Sequence, residues 1–117
     1  MPKKSTSSVR VFYPKFSREE VIQELRKSLG ELEKRLPCTL VVLFGSYAGG
    51  NYTAASDVDL LVVYQGEEND KAYATVKGVF RIPRLEPHVY SEIDYLQMKD
   101  VVQKMIRDGV VIYQRKD

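Results

Sequence analysis

Apolar residues near the middle of the chain dominate two short runs, at residues 39–44 and 58–64. Their length and their content of β-branched residues are typical of buried strands. Gly45 and Ser46 end the first run, and a connection rich in Gly, Asn, Thr, Ala and Ser leads to the second. The pattern therefore predicts two core strands joined by a polar loop.

Helical spacing of apolar residues precedes the first strand. Ser17 and Glu20 fit a capping box, and Phe16 and Val21 occupy the positions of a hydrophobic staple. We therefore expect a helix that begins at Ser17 and ends before Pro37. One core-facing stripe is predicted along it, made of Val21, Ile22, Leu25, Leu29, Leu32 and Leu36.

The second half of the chain predicts two more helices and two more strands. Pro87 lacks an N–H, which favours an edge position or a local irregularity for the third strand. Ser91 is placed to cap a short turn of helix after it. In order, the predicted elements are a helix at 70–80, a strand at 85–90, a helix at 98–108 and a strand at 110–113.

The last predicted helix has four apolar residues that we expect to face inward, Val101, Val102, Met105 and Ile106. Helices and strands thus alternate along most of the chain. This order predicts an α/β or α+β sheet covered by helices.

Length and composition predict one folded domain. A chain of 117 residues with 44% hydrophobic content suits one compact unit, which we place at residues 17–117. Residues 1–16 are expected to form an N-terminal arm that is partly disordered, with a short edge strand at residues 9–13.

The lone cysteine, Cys38, fits a reducing compartment. Neither a signal peptide nor a spanning segment is evident, so we expect a cytoplasmic protein.

The distribution of charge does not indicate a nucleic-acid-binding surface. A formal net charge of +2, with the basic residues scattered along the chain, gives no reason to expect a nucleic-acid partner.

Candidate chemistry lies where the second strand begins. Asp57 and Asp59 are two residues apart, so their carboxylates are expected on one face of the strand. No basic residue follows closely, and like charges this near repel unless a cation lies between them. A hard divalent cation such as Mg²⁺ satisfies such a pair. The alternative is a pair that merely caps the loop at a strand entry.

Gly45 and Ser46 complete the candidate site at the end of the first strand. Glycine lets a backbone approach a ligand closely, and Ser46 offers an N–H and a hydroxyl to a phosphate oxygen. A short helix starting at or after Ser46 would add a favourable dipole for an anion.

With these residues in place, the chain resembles the minimal nucleotidyltransferases, small members of the DNA polymerase β-type nucleotidyltransferase superfamily. That family has a Gly-Ser, a spacer, a Ser-Asp-x-Asp and a third acidic residue on a later strand. Seven positions among fifteen residues agree with this pattern: Gly45, Ser46, Ala48, Gly50, Ser56, Asp57 and Asp59.

The resemblance implies a mixed sheet of three or four strands in which the two acidic strands are neighbours. It also implies transfer of a nucleoside monophosphate, AMP from ATP above all, to a hydroxyl of a protein or of a small molecule. Asp57 and Asp59 would bind one or two Mg²⁺ ions, and Gly45, Ser46 and Ser56 would bind phosphates. Glu86 is the best candidate for the third carboxylate, although the family more often has Asp there, and Asp94 is the weaker alternative.

Two functions stay open under this resemblance. One is an active transferase, either as the antitoxin of a pair with a helical HEPN-type partner or as a homodimer. The other is a catalytically weak module that acts by binding such a partner. Three further residues have ordinary structural alternatives. His88 is expected to pack or lie at the surface rather than bind a metal, and Tyr47 and Tyr52 either stack on a base or else pack or lie at the surface.

Overall fold

Nine elements make up the part of the chain that the computed structural model describes, residues 16–116. In chain order these are α1 Arg18–Arg35, β1 Cys38–Phe44, α2 Ser46–Gly49, β2 Val58–Tyr64, α3 Ala72–Val79, β3 Leu85–Ser91, α4 Glu92–Gln97, α5 Lys99–Met105 and β4 Val110–Gln114.

The strands form one four-stranded sheet in the order β3-β2-β1-β4. β1 is antiparallel to both β2 and β4, and β2 is parallel to β3. As a result, β1 ends at the same edge of the sheet at which β2, β3 and β4 begin. We call this end of the strands the site edge. The mixed sheet with neighbouring acidic strands is confirmed.

Apolar side chains cover both faces of the sheet. On one face, α1 and α3 pack against alternate residues of β1 and β2, such as Val41 and Leu60. On the other face, α5 packs against the intervening residues, such as Val42 and Leu61. Because neighbouring residues of a strand point to opposite faces, two continuous apolar runs supply both layers.

The start of α1 follows the predicted capping box. The Ser17 hydroxyl accepts a hydrogen bond from the Glu20 N–H at 3.2 Å, and the Glu20 carboxylate accepts one from the Ser17 N–H at 2.8 Å. The predicted stripe is confirmed, with Val21, Leu25, Leu32 and Leu36 buried and two further members partly buried against the same core.

Other predicted elements hold with small changes. β3 is an edge strand of the sheet, as Pro87 indicated. The Ser91 hydroxyl caps α4 by accepting a hydrogen bond from the Asp94 N–H at 3.1 Å. The predictions for residues 1–15, an arm with a short strand at residues 9–13, lie outside the described residues.

The predicted helix at 98–108 is shorter than expected, because α5 ends at Met105 and a separate helix, α4, precedes it. Val102 is fully buried, but Val101 is 62% exposed, so its predicted inward orientation is wrong. The two residues are adjacent on a short helix, and only one of them can face the sheet.

Cys38 is fully buried at the start of β1. Its thiol donates to the Leu36 carbonyl at 3.0 Å, and its N–H donates to the Glu33 carboxylate at 2.8 Å. Burial, and secondarily the Glu33 charge, raise the pKa of the thiol to about 12. The thiolate is therefore scarce near neutral pH, and Cys38 is a core residue.

Within residues 16–116, none of the helices has both the length and the apolar content needed to cross a membrane.

Gly109 permits a close approach between the start of β4 and β1. A Cβ at this position would lie 2.6 Å from Val42 Cγ1 and 2.8 Å from the Leu43 carbonyl oxygen. Both neighbours belong to the central strand, so neither can move without disturbing the sheet.

We predict that Gly109→Ala lowers the free energy of unfolding by about 1–3 kcal/mol through this overpacking. Gly78→Ala is the matched control, because a Cβ there meets nothing within 4 Å and alanine favours the helix by up to about 1 kcal/mol. Urea unfolding of both variants measures the difference. Equal stabilities of the two variants would contradict the packing at Gly109.

Candidate active site

Asp59 lies at the site edge between two neighbouring strands. In the sheet register it is opposite Phe44 of β1 on one side and Glu86 of β3 on the other. Its side chain shares a strand face with Leu61, which packs beneath α5. The Asp59 side chain is 29% exposed, so the carboxylate stands at the border between this apolar layer and solvent.

Gly45 gives the Asp59 carboxylate the space that it occupies. Its φ of 77° and ψ of −157° lie in a region that is almost restricted to glycine. A Cβ on Gly45 would overlap Asp59 Oδ2. The acidic group of β2 therefore lies directly against the backbone at the end of β1, as the predicted site requires.

Ser46 is the first residue of α2, a single turn that ends at Gly49. The predicted helix start at Ser46 is confirmed, and the N–H groups of a first helical turn have no acceptor inside the helix. Ser46 is half-buried next to Gly45. The predicted phosphate-binding serine and the Asp59 carboxylate thus flank the same glycine.

Asp57 precedes β2 and forms an ion pair with Arg84, with Asp57 Oδ1 and Arg84 Nη2 3.1 Å apart. The same guanidinium donates to the carbonyl oxygens of Ala55 at 2.7 Å and Ser56 at 3.1 Å. Arg84 has a φ of 62°, unusual for a residue other than glycine, and its carbonyl accepts from the Val58 N–H at 2.9 Å. Arg84 therefore fastens the end of the loop to the start of β3.

The second carboxylate also has a partner. Asp59 Oδ1 lies 3.4 Å from His88 Nε2, and the imidazole ring of His88 lies 5.0 Å from the Phe44 ring. His88 is half-buried between them. His88 was expected to pack or to lie at the surface, and it packs against Phe44 while its ring nitrogen contacts Asp59.

These contacts correct one expectation. The acid pair was expected to lack basic neighbours, yet Arg84 and His88 each contact one carboxylate. Both come from the β3 segment, which is distant in sequence and adjacent in the sheet. The residues that flank Asp57 and Asp59 in the sequence therefore did not predict which basic side chains contact them in the structure.

Glu86 is exposed on the edge strand, directly beside Asp59 in the parallel register. In-register residues of parallel strands share a face, so the Glu86 side chain is on the side of the acid pair. Across residues 16–116, however, no three His, Cys, Asp or Glu side chains are grouped closely enough to hold a metal ion. A third ligand from Glu86 would therefore require rotation of its exposed side chain.

The donor set fits Mg²⁺ delivered with a nucleotide. Mg²⁺ keeps several waters and is commonly bound through one or two carboxylates together with substrate phosphates. The Asp57–Arg84 pair is about half exposed on both sides, so opening it costs on the order of 1 kcal/mol or less. Asp57 and Asp59 would hold such an ion, which would neutralise phosphate charge.

Other residues named from the sequence have structural partners. The Ser56 hydroxyl accepts from the Thr53 N–H at 2.8 Å and shapes the loop turn, and its role in phosphate binding stays a prediction. Tyr47 and Tyr52 stack on each other with ring centroids 4.1 Å apart. The Tyr47 hydroxyl, whose pKa is raised by burial, donates to the Phe16 carbonyl at 3.1 Å.

Arg84 and His88 are the residues of the site that the sequence interpretation missed. A signal was available, because Glu86 and His88 are two residues apart on the strand predicted at 85–90, and Arg84 directly precedes that strand. Once that strand is placed parallel to the acidic strand, His88 comes next to Asp59.

The fold agrees with comparisons to known proteins. The family model for the nucleotidyltransferase domain matches residues 22–116. The chain therefore belongs to the nucleotidyltransferase domain family.

Three individual proteins are similar to this chain. A Methanocaldococcus jannaschii protein that bears the name putative protein adenylyltransferase is 29% identical over 92 residues, which are 79% of this chain and 86% of that protein. A crystal structure of a putative nucleotidyltransferase from Sulfolobus solfataricus has 26% identity and a TM-score of 0.59, and covers 84% of each chain.

The third is a crystal structure of a toxin–antitoxin with AMP-PNP. Its TM-score is 0.56 at 16% identity, and the match covers 78% of this chain and 74% of that one. At this identity the similarity shows the fold alone.

We predict that Gly45→Ala displaces the Asp59 carboxylate and abolishes binding of Mg²⁺·ATP. The variant also loses about 1–3 kcal/mol of stability, because alanine is strained at this φ and ψ. Gly50→Ala is the control, since Gly50 also has a positive φ, of 82°, but a Cβ there meets nothing within 4 Å. Titration calorimetry with Mg²⁺·ATP should detect binding to Gly50→Ala only. Equal binding by both variants would show that the contact between Gly45 and Asp59 is unimportant.

Proposed function

We propose that this chain is a Mg²⁺-dependent nucleotidyltransferase that moves AMP from ATP to a hydroxyl group on a partner protein. The observation that supports this most directly is the position of Asp59 against Gly45, which puts a carboxylate beside Ser46 at the site edge. The name of the Methanocaldococcus relative supports adenylyl transfer to a protein.

In the proposed reaction, an acceptor hydroxyl oxygen attacks the α-phosphorus of ATP. A bond from that oxygen to phosphorus forms, the bond from the α-phosphorus to the bridging oxygen breaks, and pyrophosphate leaves. The proton of the hydroxyl passes to the exposed Glu86 carboxylate. Ser46 and the adjacent N–H groups orient the terminal phosphates, so most of the catalysis comes from positioning and charge neutralisation.

A protein partner is part of the proposal. The toxin–antitoxin fold relative supports a two-protein arrangement. Leu96, Met98 and Val101 are exposed apolar side chains that border one surface hollow of about 460 Å³ on α4 and α5. A helical HEPN-type partner is the proposed occupant, with a homodimer as the other possibility, and the setting is the cytoplasm.

One observation favours a second candidate, a binding module with weak activity. Asp57 and Asp59 each contact a basic side chain, Arg84 and His88 respectively. If these contacts persist in the presence of Mg²⁺·ATP, the acid pair cannot bind the ion, and the chain would act by complex formation with its partner.

We predict that Asp57→Asn and Asp59→Asn each reduce nucleotide transfer at least 100-fold, since each removes a charge from the only acid pair of the motif. Both variants should unfold at the same temperature as the wild type to within a few degrees, because the two carboxylates are outside the apolar core. Asp70→Asn, an equal charge change at an exposed position between β2 and α3, is the control. Full activity in both site variants would refute the assignment.

The decisive experiment for the whole proposal uses ATP labelled at the α-phosphate, with Mg²⁺ and the protein encoded by the neighbouring gene. We expect label on the partner polypeptide, and none when the Asp59→Asn variant replaces the wild type. Formation of a stable complex without any transfer of label would favour the binding module instead.

A further inference from the structure

We propose that Lys104 and Arg107, in and just after α5, form the cationic wall of the site and bind the β- and γ-phosphates of the nucleotide. This inference rests on the proposed function, which it deepens by assigning the far end of the triphosphate to residues outside the Gly-Ser and Asp-x-Asp motif.

The first observation is a hollow of about 340 Å³ at the site edge. Gly45 and Gly49 line one side of it, and Lys104 and Arg107 line another. Gly45 is also the residue against which the Asp59 carboxylate lies. Asp59 and the hollow therefore meet at one glycine, and a phosphate chain that starts at Asp59 can continue past Gly45 into the hollow.

The topology explains why these cations reach the site. β4 is antiparallel to β1 and begins at the site edge, so the connection from α5 to β4 passes beside the end of β1. α5 covers the sheet face to which Asp59 points. The absence of a side chain at Gly109 lets this connection lie against Val42 and the Leu43 carbonyl. Lys104 and Arg107 are consequently on the same face and at the same edge as the acid pair.

The second observation is the charge balance of the hollow. Neither Lys104 nor Arg107 forms an ion pair or a side-chain hydrogen bond with any residue between 16 and 116. Asp108 is the one acidic residue among those that line the hollow, so the lining as a whole has a net charge of +1. Two unpaired cations beside a backbone loop attract an anion, and a polyphosphate offers several oxygens to both of them.

The cationic wall and the acid pair have different roles at the site. Asp57 and Asp59 would hold a cation that neutralises phosphate charge, whereas Lys104 and Arg107 bind the phosphates that leave as pyrophosphate. The two cations are positioning residues, and the β- and γ-phosphates are the groups that they recognise. A ligand that has only the α-phosphate should therefore be insensitive to their removal.

Binding measurements on the full chain test this inference. Lys104→Gln, Arg107→Gln and the double variant are titrated with tripolyphosphate, Mg²⁺·ATP and AMP. Lys99→Gln is the control, because Lys99 is on the same helix and loses the same charge outside the hollow. Thermal unfolding confirms that each variant is folded, which is expected because both site side chains are exposed.

We expect each single variant to bind tripolyphosphate and Mg²⁺·ATP about 10- to 100-fold more weakly, the range for loss of a hydrogen bond to a charged group. AMP affinity and the Lys99→Gln variant should remain within twofold of the wild type. Unchanged tripolyphosphate affinity in the double variant would overturn the inference, and so would an equal loss for AMP and ATP.

Failure of the proposed function gives a different result. If the double variant binds ATP normally and the wild type still labels its partner, only the assignment of Lys104 and Arg107 is wrong. If the wild type neither binds Mg²⁺·ATP nor transfers label, the proposed function fails and this inference fails with it.

Discussion

The close contact between Asp59 and Gly45 is the constraint on which the candidate site depends. Antiparallel pairing places the second residue of β2 opposite the last residue of β1, and the carboxylate then needs space that only a glycine leaves. The same glycine adopts a backbone conformation that starts α2 at Ser46. Sheet register, backbone strain and candidate chemistry thus coincide at one position.

Strand direction explains how one edge of a small sheet gathers so many polar groups. Because β1 is antiparallel to β2 and β4, while β3 is parallel to β2, one strand end and three strand starts lie together. β1 contributes a glycine loop, β2 and β3 contribute carboxylates, and the segment that leads to β4 contributes cations. Under the proposed function, these opposite charges would let the site edge hold a metal ion beside a polyphosphate.

The sequence predicted the elements well where local physics decides them. The capping box at Ser17, the apolar stripe of α1 and the two central strands depend on neighbours within a few residues. The inward orientation predicted for Val101 was wrong, because adjacent residues of α5 point in different directions and only Val102 faces the sheet. Arg84 and His88 were missed as partners of the acid pair since strand pairing, not sequence distance, determines which charges meet. The roles of Glu86 and Ser56 remain predictions.

The central claim is that the two aspartates and Ser46 come together in order to bind a triphosphate with its metal ion. Isothermal titration of ATP into the wild-type chain, with Mg²⁺ and then with the metal removed by a chelator, tests it most directly. The account predicts saturable binding with Mg²⁺ and binding weaker by at least tenfold without it, because uncompensated carboxylates and phosphates repel each other. Equal affinity in the two titrations, or no binding in either, would contradict it.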